Sequence, residues 1–147
     1  MLYLPLHLDS GNRGCEAITK GTKMIVGNHT EMTAYTRDRQ NDEKMGNYGC
    51  ILRNNKIENE FVHLAYCAAR RIVRSEKRKV GLTVKENNRN FLRDIQKTKG
   101  NVVLSTGGDM FCYAHNEAVY LNDFFDLKKN VSILWGCSFG EENLTDK

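Results

Sequence analysis

The chain opens on an apolar stretch, Leu2 to Leu8, closed off by Asp9-Ser10-Gly11-Asn12. A short apolar run bounded by turn residues reads as a buried first strand. Pro5 inside it removes one ladder donor, which argues against a central place in a sheet. From Gly14 the period changes: Ala17, Ile18, Gly21, Met24 and Ile25 recur at helical spacing, and Gly27-Asn28 supplies a stop. Gly21 on that face predicts close approach of the helix to a sheet. Met32 to Thr36 predicts a second strand, and the polar, glycine-bearing stretch Arg37 to Gly49 a loop. Glu58 to Val73 predicts a second helix, with Phe61, Ala65, Ala69, Ile72 and Val73 as its apolar stripe and Glu58 and Glu60 in its first turn. Val80 to Val84 then predicts a short strand and Asn90 to Thr98 a short amphipathic helix. Asn101 to Thr106 is a clearer strand, running straight into Gly107-Gly108-Asp109. His115 to Lys128 predicts a helix with Ala118, Leu121, Phe124 and Phe125 inward, and Val131 to Trp135 a closing strand followed by Gly136-Cys137-Ser138-Phe139-Gly140.

Strands alternating with helices predict an α/β fold, Rossmann-like, with a mainly parallel sheet and helices on both faces. The 147 residues suit one domain spanning 1–147, large enough to bury a core. With 40% of residues apolar and 27% charged, wholesale disorder is excluded, and the single proline excludes proline-rich linkers. No apolar run approaches the roughly 18 residues a membrane helix needs. Met1 to Leu8 lacks the basic start and small-residue cleavage site of a signal peptide. The expected setting is cytoplasmic, with at most peripheral membrane contact. Asn28-His29-Thr30 fits a glycosylation pattern that has no meaning without secretion.

The net charge of +4 is local in origin, because Arg70, Arg71, Arg74, Lys77, Arg78 and Lys79 crowd ten residues with one acid, Glu76. Such a run reads either as a patch for an anionic partner or as the solvated, cation-rich end of a helix. No aromatics interleave it, which argues against nucleic acid. Five cysteines, Cys15, Cys50, Cys67, Cys112 and Cys137, are widely spaced and odd in number. They read as free, mostly buried thiols in a reducing compartment. Cys112 and His115 make one C-x-x-H pair without a second, so no metal site is expected.

In parallel sheets ligands sit beyond the carboxyl ends of the strands. Three glycine-bearing loops fall at such ends: Ser10 to Gly14, Gly107 to Asp109 and Gly136 to Gly140. In the first, free helix-start amides attract anions, and Arg13 could add a bidentate contact to a phosphate or carboxylate. Glu16 would oppose an anion there and could instead orient Arg13 or a sugar hydroxyl. The alternative is a tight turn with Asn12 as helix cap. The loop is neither G-x-G-x-x-G nor a P-loop, so Asp38, near the place of a ribose-binding acid, is a weak pointer. Asp109 could bind a sugar hydroxyl, act as a base or cap a helix. His7 and Asp9 alternate onto one side of the first strand, as an acid/base pair or as a packed core histidine. Ser138 has no histidine partner by spacing, so no hydrolase triad is expected. Trp135 reads as core or, less readily, as the border of a sugar site.

His7-Leu-Asp-Ser-Gly-Asn-Arg-Gly-Cys-Glu-Ala-Ile18 resembles the opening motif of the polysaccharide pyruvyl transferase family. Leu104-Ser-Thr-Gly-Gly-Asp109 is similar to that family's middle motif, and Ile133-Leu-Trp-Gly-Cys-Ser-Phe-Gly140 to its third strand-end segment. The matches fall in the family's order and span nearly the whole chain. The resemblance implies a transferase that moves pyruvyl from phosphoenolpyruvate onto a saccharide, free or lipid-linked, as a ketal in capsule, exopolysaccharide or cell-wall polymer synthesis. It implies no cofactor. It also implies a GT-B-like architecture of two Rossmann-like halves, of which these residues correspond to the amino-terminal one and a carboxy-terminal domain is the partner. The residues it carries over are Asn12, Arg13, Gly14, Glu16, Gly107, Gly108 and Ser138 for substrate binding, with Asp109 as the catalytic candidate. Two alternatives remain: a GT-B-like glycosyltransferase using a nucleotide sugar, and a non-catalytic Rossmann-like binding module.

Overall fold

The computed structural model describes residues 1–8, 12–46, 48–56, 58–97, 100–106 and 130–135, without the side chains of residues 6–8, 45 and 106. In chain order its elements are β1 (Leu2–Leu8), α1 (Arg13–Val26), β2 (Met32–Thr36), α2 (Arg39–Met45), β3 (Ile51–Asn54), α3 (Glu60–Ile72), α4 (Glu76–Asn87), α5 (Arg89–Lys97), β4 (Val102–Thr106) and β5 (Val131–Trp135). The five strands form one sheet in the order β3-β2-β1-β4-β5, and every pairing is parallel. The strand order reverses between β1 and β4, the arrangement of a Rossmann-like fold.

Side-chain alternation along the strands sorts the core into two layers. Tyr3, Tyr35 and Val103 point to one face, where Val84 of α4 and Phe91, Leu92 and Ile95 of α5 cover them. Leu2, Leu4, Met32, Ala34, Leu52 and Leu104 point to the other, packed with Tyr48 and with Val26 of α1. Helices therefore lie on both faces, as expected.

Local chemistry sets the helix ends. Asn12 caps α1, its Oδ1 accepting from the amides of Gly14 at 3.0 Å and Cys15 at 3.3 Å. Gly27 ends the helix at φ 74°, ψ 177°, and Lys23 Nζ donates to the carbonyls of Gly27 at 3.1 Å and Thr30 at 2.9 Å. Only glycine adopts that backbone conformation without strain. Gly27→Ala is expected to cost about 1 kcal/mol or more, read as a lower urea midpoint at unchanged slope. An unchanged midpoint would show that the turn relaxes.

Several expectations are corrected. Arg37 to Gly49 is not all loop, since α2 occupies its middle, capped by Asp38 Oδ1 accepting from Asn41 N at 3.1 Å. Val80 to Val84 is not a strand but part of α4. Val80 and Val84, one turn apart, face the α5 layer, and that packing overrides the strand preference of β-branched residues. Pro5 sits in β1, the middle strand. The cost is local: the pairing with β2 shifts register between Leu4 and Leu8, and the pairing with β4 covers Leu2 and Tyr3. No described atom would crowd a Cβ at Gly21, so that glycine serves no close approach. α1 instead turns Thr19 and Thr22 inward and leaves Met24 and Ile25 largely exposed. α3 buries none of its residues: Phe61 is 84% exposed and Ile72 81%, so its apolar stripe faces out. Trp135 is half exposed on β5 rather than in the core.

The basic run does not mark one helix end. Arg70 and Arg71 close α3, while Lys77, Arg78 and Lys79 lie in the opening turns of α4, where the dipole disfavours cations. Glu76 offsets this in part by pairing with Lys79 at 2.6 Å. The cysteines described, Cys15, Cys50 and Cys67, form no disulfide, as expected, but are half-buried rather than buried. Among the described residues no helix is long and apolar enough to cross a membrane, and no group of histidine, cysteine and acidic residues could hold a metal. The expected helix from His115 to Lys128, and Cys112 and Cys137, lie outside the described residues.

Candidate functional site

All strands being parallel, the carboxyl ends of β1 at Leu8, β2 at Thr36, β3 at Asn54, β4 at Thr106 and β5 at Trp135 share one edge of the sheet. The reversal of strand order between β1 and β4 marks the place on that edge where such folds bind ligands. Asn12, Arg13, Gly14 and Glu16 open the helix after β1 and so belong to this edge.

These four residues form a compact polar unit. Asn12 is the helix cap, which leaves its Oδ1 committed to backbone amides. Arg13 Nη1 donates to Glu16 Oε2 at 2.7 Å, and Lys20 Nζ donates to Glu16 Oε1 at 2.6 Å. Hydrogen bonds from Lys20 and Arg13 hold the Glu16 carboxyl below the usual carboxylate range. Glu16 therefore orients Arg13, as one of the two sequence readings had it, rather than standing free. Arg13 remains largely exposed, with guanidinium donors left for an incoming carboxylate or phosphate. A Cβ at Gly14 would lie 3.2 Å from Asn12 Oδ1, so the residue type suits the cap. Lys20 Nζ also stands 5.3 Å from the centre of the Tyr48 ring.

The ends of β2 and β3 add groups that the sequence did not reveal. Thr36 Oγ1 donates to the buried Asp42 carboxylate and accepts from Asp38 N at 3.0 Å. Asp38 is thereby placed as the cap of α2, with Asn41 Nδ2 on its Oδ2 at 2.7 Å. Beyond β3, Asn90 Nδ2 donates to the carbonyls of Asn54 at 2.9 Å and Lys56 at 3.3 Å, tying this turn to α5. Arg37, Asn55, Lys56 and Asn87 line a cavity of about 270 Å³. Asn55 is buried, and its Oδ1 has no hydrogen-bond partner among the described residues. A buried acceptor without a donor is costly, and a hydroxyl or amide of a ligand would satisfy it. Two cations and an orphan acceptor suit a polar, anionic molecule. Sequence alone had no signal for this, since the four residues come from three separate segments.

Two other features are structural. Asp94 Oδ2 accepts from Tyr35 Oη at 2.8 Å and from Arg53 at 2.7 Å, tying β2, β3 and α5 together. Burial, then the Asp94 carboxylate, pushes the Tyr35 hydroxyl far above its ordinary range, so it stays protonated. On β5, Trp135 lines an apolar cavity of about 150 Å³ with Leu2, Ile25, Val26, Leu104 and Ile133. No polar side chain of the candidate set lines that cavity. Gly107, Gly108, Asp109 and Ser138 lie outside the described residues, as do Asp9 and the side chain of His7. Of the residues read from sequence, the structure thus brings together Asn12, Arg13, Gly14 and Glu16.

No family model, curated protein or solved structure matches this chain.

Proposed function

We propose that this chain forms the amino-terminal wall of a transferase moving pyruvyl from phosphoenolpyruvate onto a saccharide as a ketal, in the synthesis of capsule, exopolysaccharide or cell-wall polymer. The observation carrying this reading is the strand reversal between β1 and β4, with the Asn12–Glu16 unit following one strand and the sequence Gly107-Gly108-Asp109 following the other. Arg13, held by Glu16, offers donors to an anionic substrate, and the cavity of Arg37, Asn55, Lys56 and Asn87 offers a place for an acidic or hydroxylated one. Asp109 is the proposed base for the attacking sugar hydroxyl. Cys15, Cys50 and Cys67 as reduced thiols, outside any disulfide, fit a cytoplasmic setting.

Ketal formation needs a proton for the methylene carbon, a base for the hydroxyl and cations around the leaving phosphate. A single open wall does not exclude water or align two substrates, so the reading calls for a second Rossmann-like half closing over this edge. In a polypeptide carrying both halves, phosphate release from phosphoenolpyruvate is expected only when an acceptor saccharide is present. Arg13→Ala and Asp109→Asn are each expected to lower kcat/KM by about tenfold or more, the loss of one charge-assisted contact or of a base. Unchanged turnover in both variants would sink the assignment. Release of a nucleoside diphosphate from a nucleotide sugar would favour the glycosyltransferase alternative, and saccharide binding without turnover of either donor a binding module.

A further inference from the structure

A second cluster of reactive groups, which the proposed transferase does not use, joins α3 to α4. His63, Cys67 and Arg70 fall three and four residues apart on α3 and so share one side of it. The carboxylate facing them is Glu86, buried on α4. Its Oε1 lies 2.6 Å from His63 Nδ1, and its Oε2 accepts from Arg70 Nη1 at 2.6 Å. A carboxylate at that distance fixes the proton on Nδ1 and leaves the Nε2 lone pair free. That lone pair points at the Cys67 thiol, with Sγ 3.5 Å from Nε2. Arg70 Nη2 donates to the same sulfur at 3.2 Å, a bond that strengthens as the sulfur becomes a thiolate. Nucleophile, base and base-orienting carboxylate are therefore connected in sequence, with a guanidinium beside the sulfur.

The surroundings are cationic. Arg71, four residues beyond Cys67, and Arg74 carry no ion pair among the described residues, and Lys56 Nζ reaches Glu86 at 3.9 Å. Thr83 of α4 lies 3.5 Å from Arg70. His63 is half exposed and Cys67 half-buried, so a small molecule can reach the sulfur. Cys50 is the opposite case: burial pushes its thiol up to about 11.

We propose that Cys67 is a nucleophilic thiol, deprotonated by His63 and flanked by Arg70, that undergoes exchange with low-molecular-weight disulfides bearing carboxylates. The Cys67 proton passes to His63 Nε2 and the sulfur attacks one sulfur of the disulfide. The S–S bond breaks with its electron pair on the departing sulfur, which takes the proton from the imidazolium. One disulfide is consumed, one mixed disulfide on Cys67 is formed and one thiol leaves, so no other oxidant is needed. His63 is the base, and Glu86 is a positioning residue acting through it. The product would carry a carboxylate among Arg70, Arg71 and Arg74, which gives the basic run a ligand class.

The test is site-resolved labelling of the whole chain, read by mass spectrometry, with the dicarboxylate dithiobis(nitrobenzoate) and the neutral dithiodipyridine. Cys67 in the folded protein is expected to react with the dicarboxylate about tenfold or more faster than Cys50, and than Cys67 in urea, as thiolate formation and local charge dictate. The advantage should be smaller for the neutral disulfide. His63→Gln, a change at an exposed side chain, is expected to remove it and return the pH–rate profile to that of an ordinary thiol. Glu86→Gln should displace the same profile. A Cys67 rate equal in folded and unfolded chains, or a rate and profile untouched by His63→Gln, would overturn the proposal. Equal enhancement for both disulfides would overturn the acidic-substrate assignment.

Discussion

Phe91→Ala is expected to be the most damaging single substitution among the described residues, costing about 3–5 kcal/mol. Phe91 is fully buried between α5 and the sheet, in the layer that holds Tyr3, Tyr35, Val84, Leu92, Ile95 and Val103. Its ring meets Tyr35 edge-on, with centroids 5.1 Å apart at 72°. Tyr35 cannot follow a shrinking neighbour, because its hydroxyl is tied to Asp94, which Arg53 also holds. The cavity would stay open, and a cavity that cannot collapse carries the upper part of the range. Against a usual total of about 5–15 kcal/mol, such a loss removes a large share of stability. Urea denaturation would show it as a lower midpoint. Phe61→Ala is the control, expected to change stability by less than about 0.5 kcal/mol because that ring already faces solvent. A loss below about 1 kcal/mol for Phe91→Ala would mean that the layer repacks.

Glu86→Gln is expected to cost about 1.5–3 kcal/mol at neutral pH, the range for charge-assisted hydrogen bonds. α3 buries no residue of its own, so its attachment to α4 relies on polar contacts of which Glu86 is the hub. Burial alone would raise this carboxyl, but hydrogen bonds from His63 and Arg70 outweigh it and hold the group below its ordinary value of 4.5. A carboxyl lowered in the folded state stabilises the fold fully above its unfolded value and loses that contribution as pH falls through the folded value. The gap between wild type and Glu86→Gln should therefore be present at neutral pH and close as pH drops below 4.5 through the folded value. The groups facing the carboxylate are His63, Arg70 and Lys56. A gap that stays open as pH falls well below 4.5 would contradict it.

The strands were legible wherever several apolar residues stood together: Leu2–Leu8, Met32–Thr36, Val102–Thr106 and Val131–Trp135 all carry them. β3 was not, because its four residues bury Leu52 alone and leave no alternation to read. α2 escaped notice because its buried residue is Asp42, a polar group held by a hydroxyl on the neighbouring strand. α4 was misread since one valine pair at helical spacing has no more local signal than a β-branched run. The amphipathic stripe of α3 predicted a helix correctly and its burial wrongly, because periodicity reports a face and not what covers it. In the site, the Asn12 cap and the Arg13–Glu16 pair were readable from spacing, being local. The Arg37, Asn55, Lys56 and Asn87 cavity and the His63, Cys67 and Glu86 alignment were not, because each depends on segments that only the topology brings together.

Pro5 gives the sheet two mechanical regimes. Below it, the middle strand is stitched to both neighbours through Leu2 and Tyr3. Above it, β1 is fastened to β2 alone, by a single pairing at Leu8, while the described pairing with β4 has already ended. Among the described residues, the β1–β4 ladder thus ends short of the edge that the proposed substrate would approach. Beyond Tyr3, the two strands are held together by the packing of Leu4 and Leu104 in one buried layer rather than by described ladder bonds.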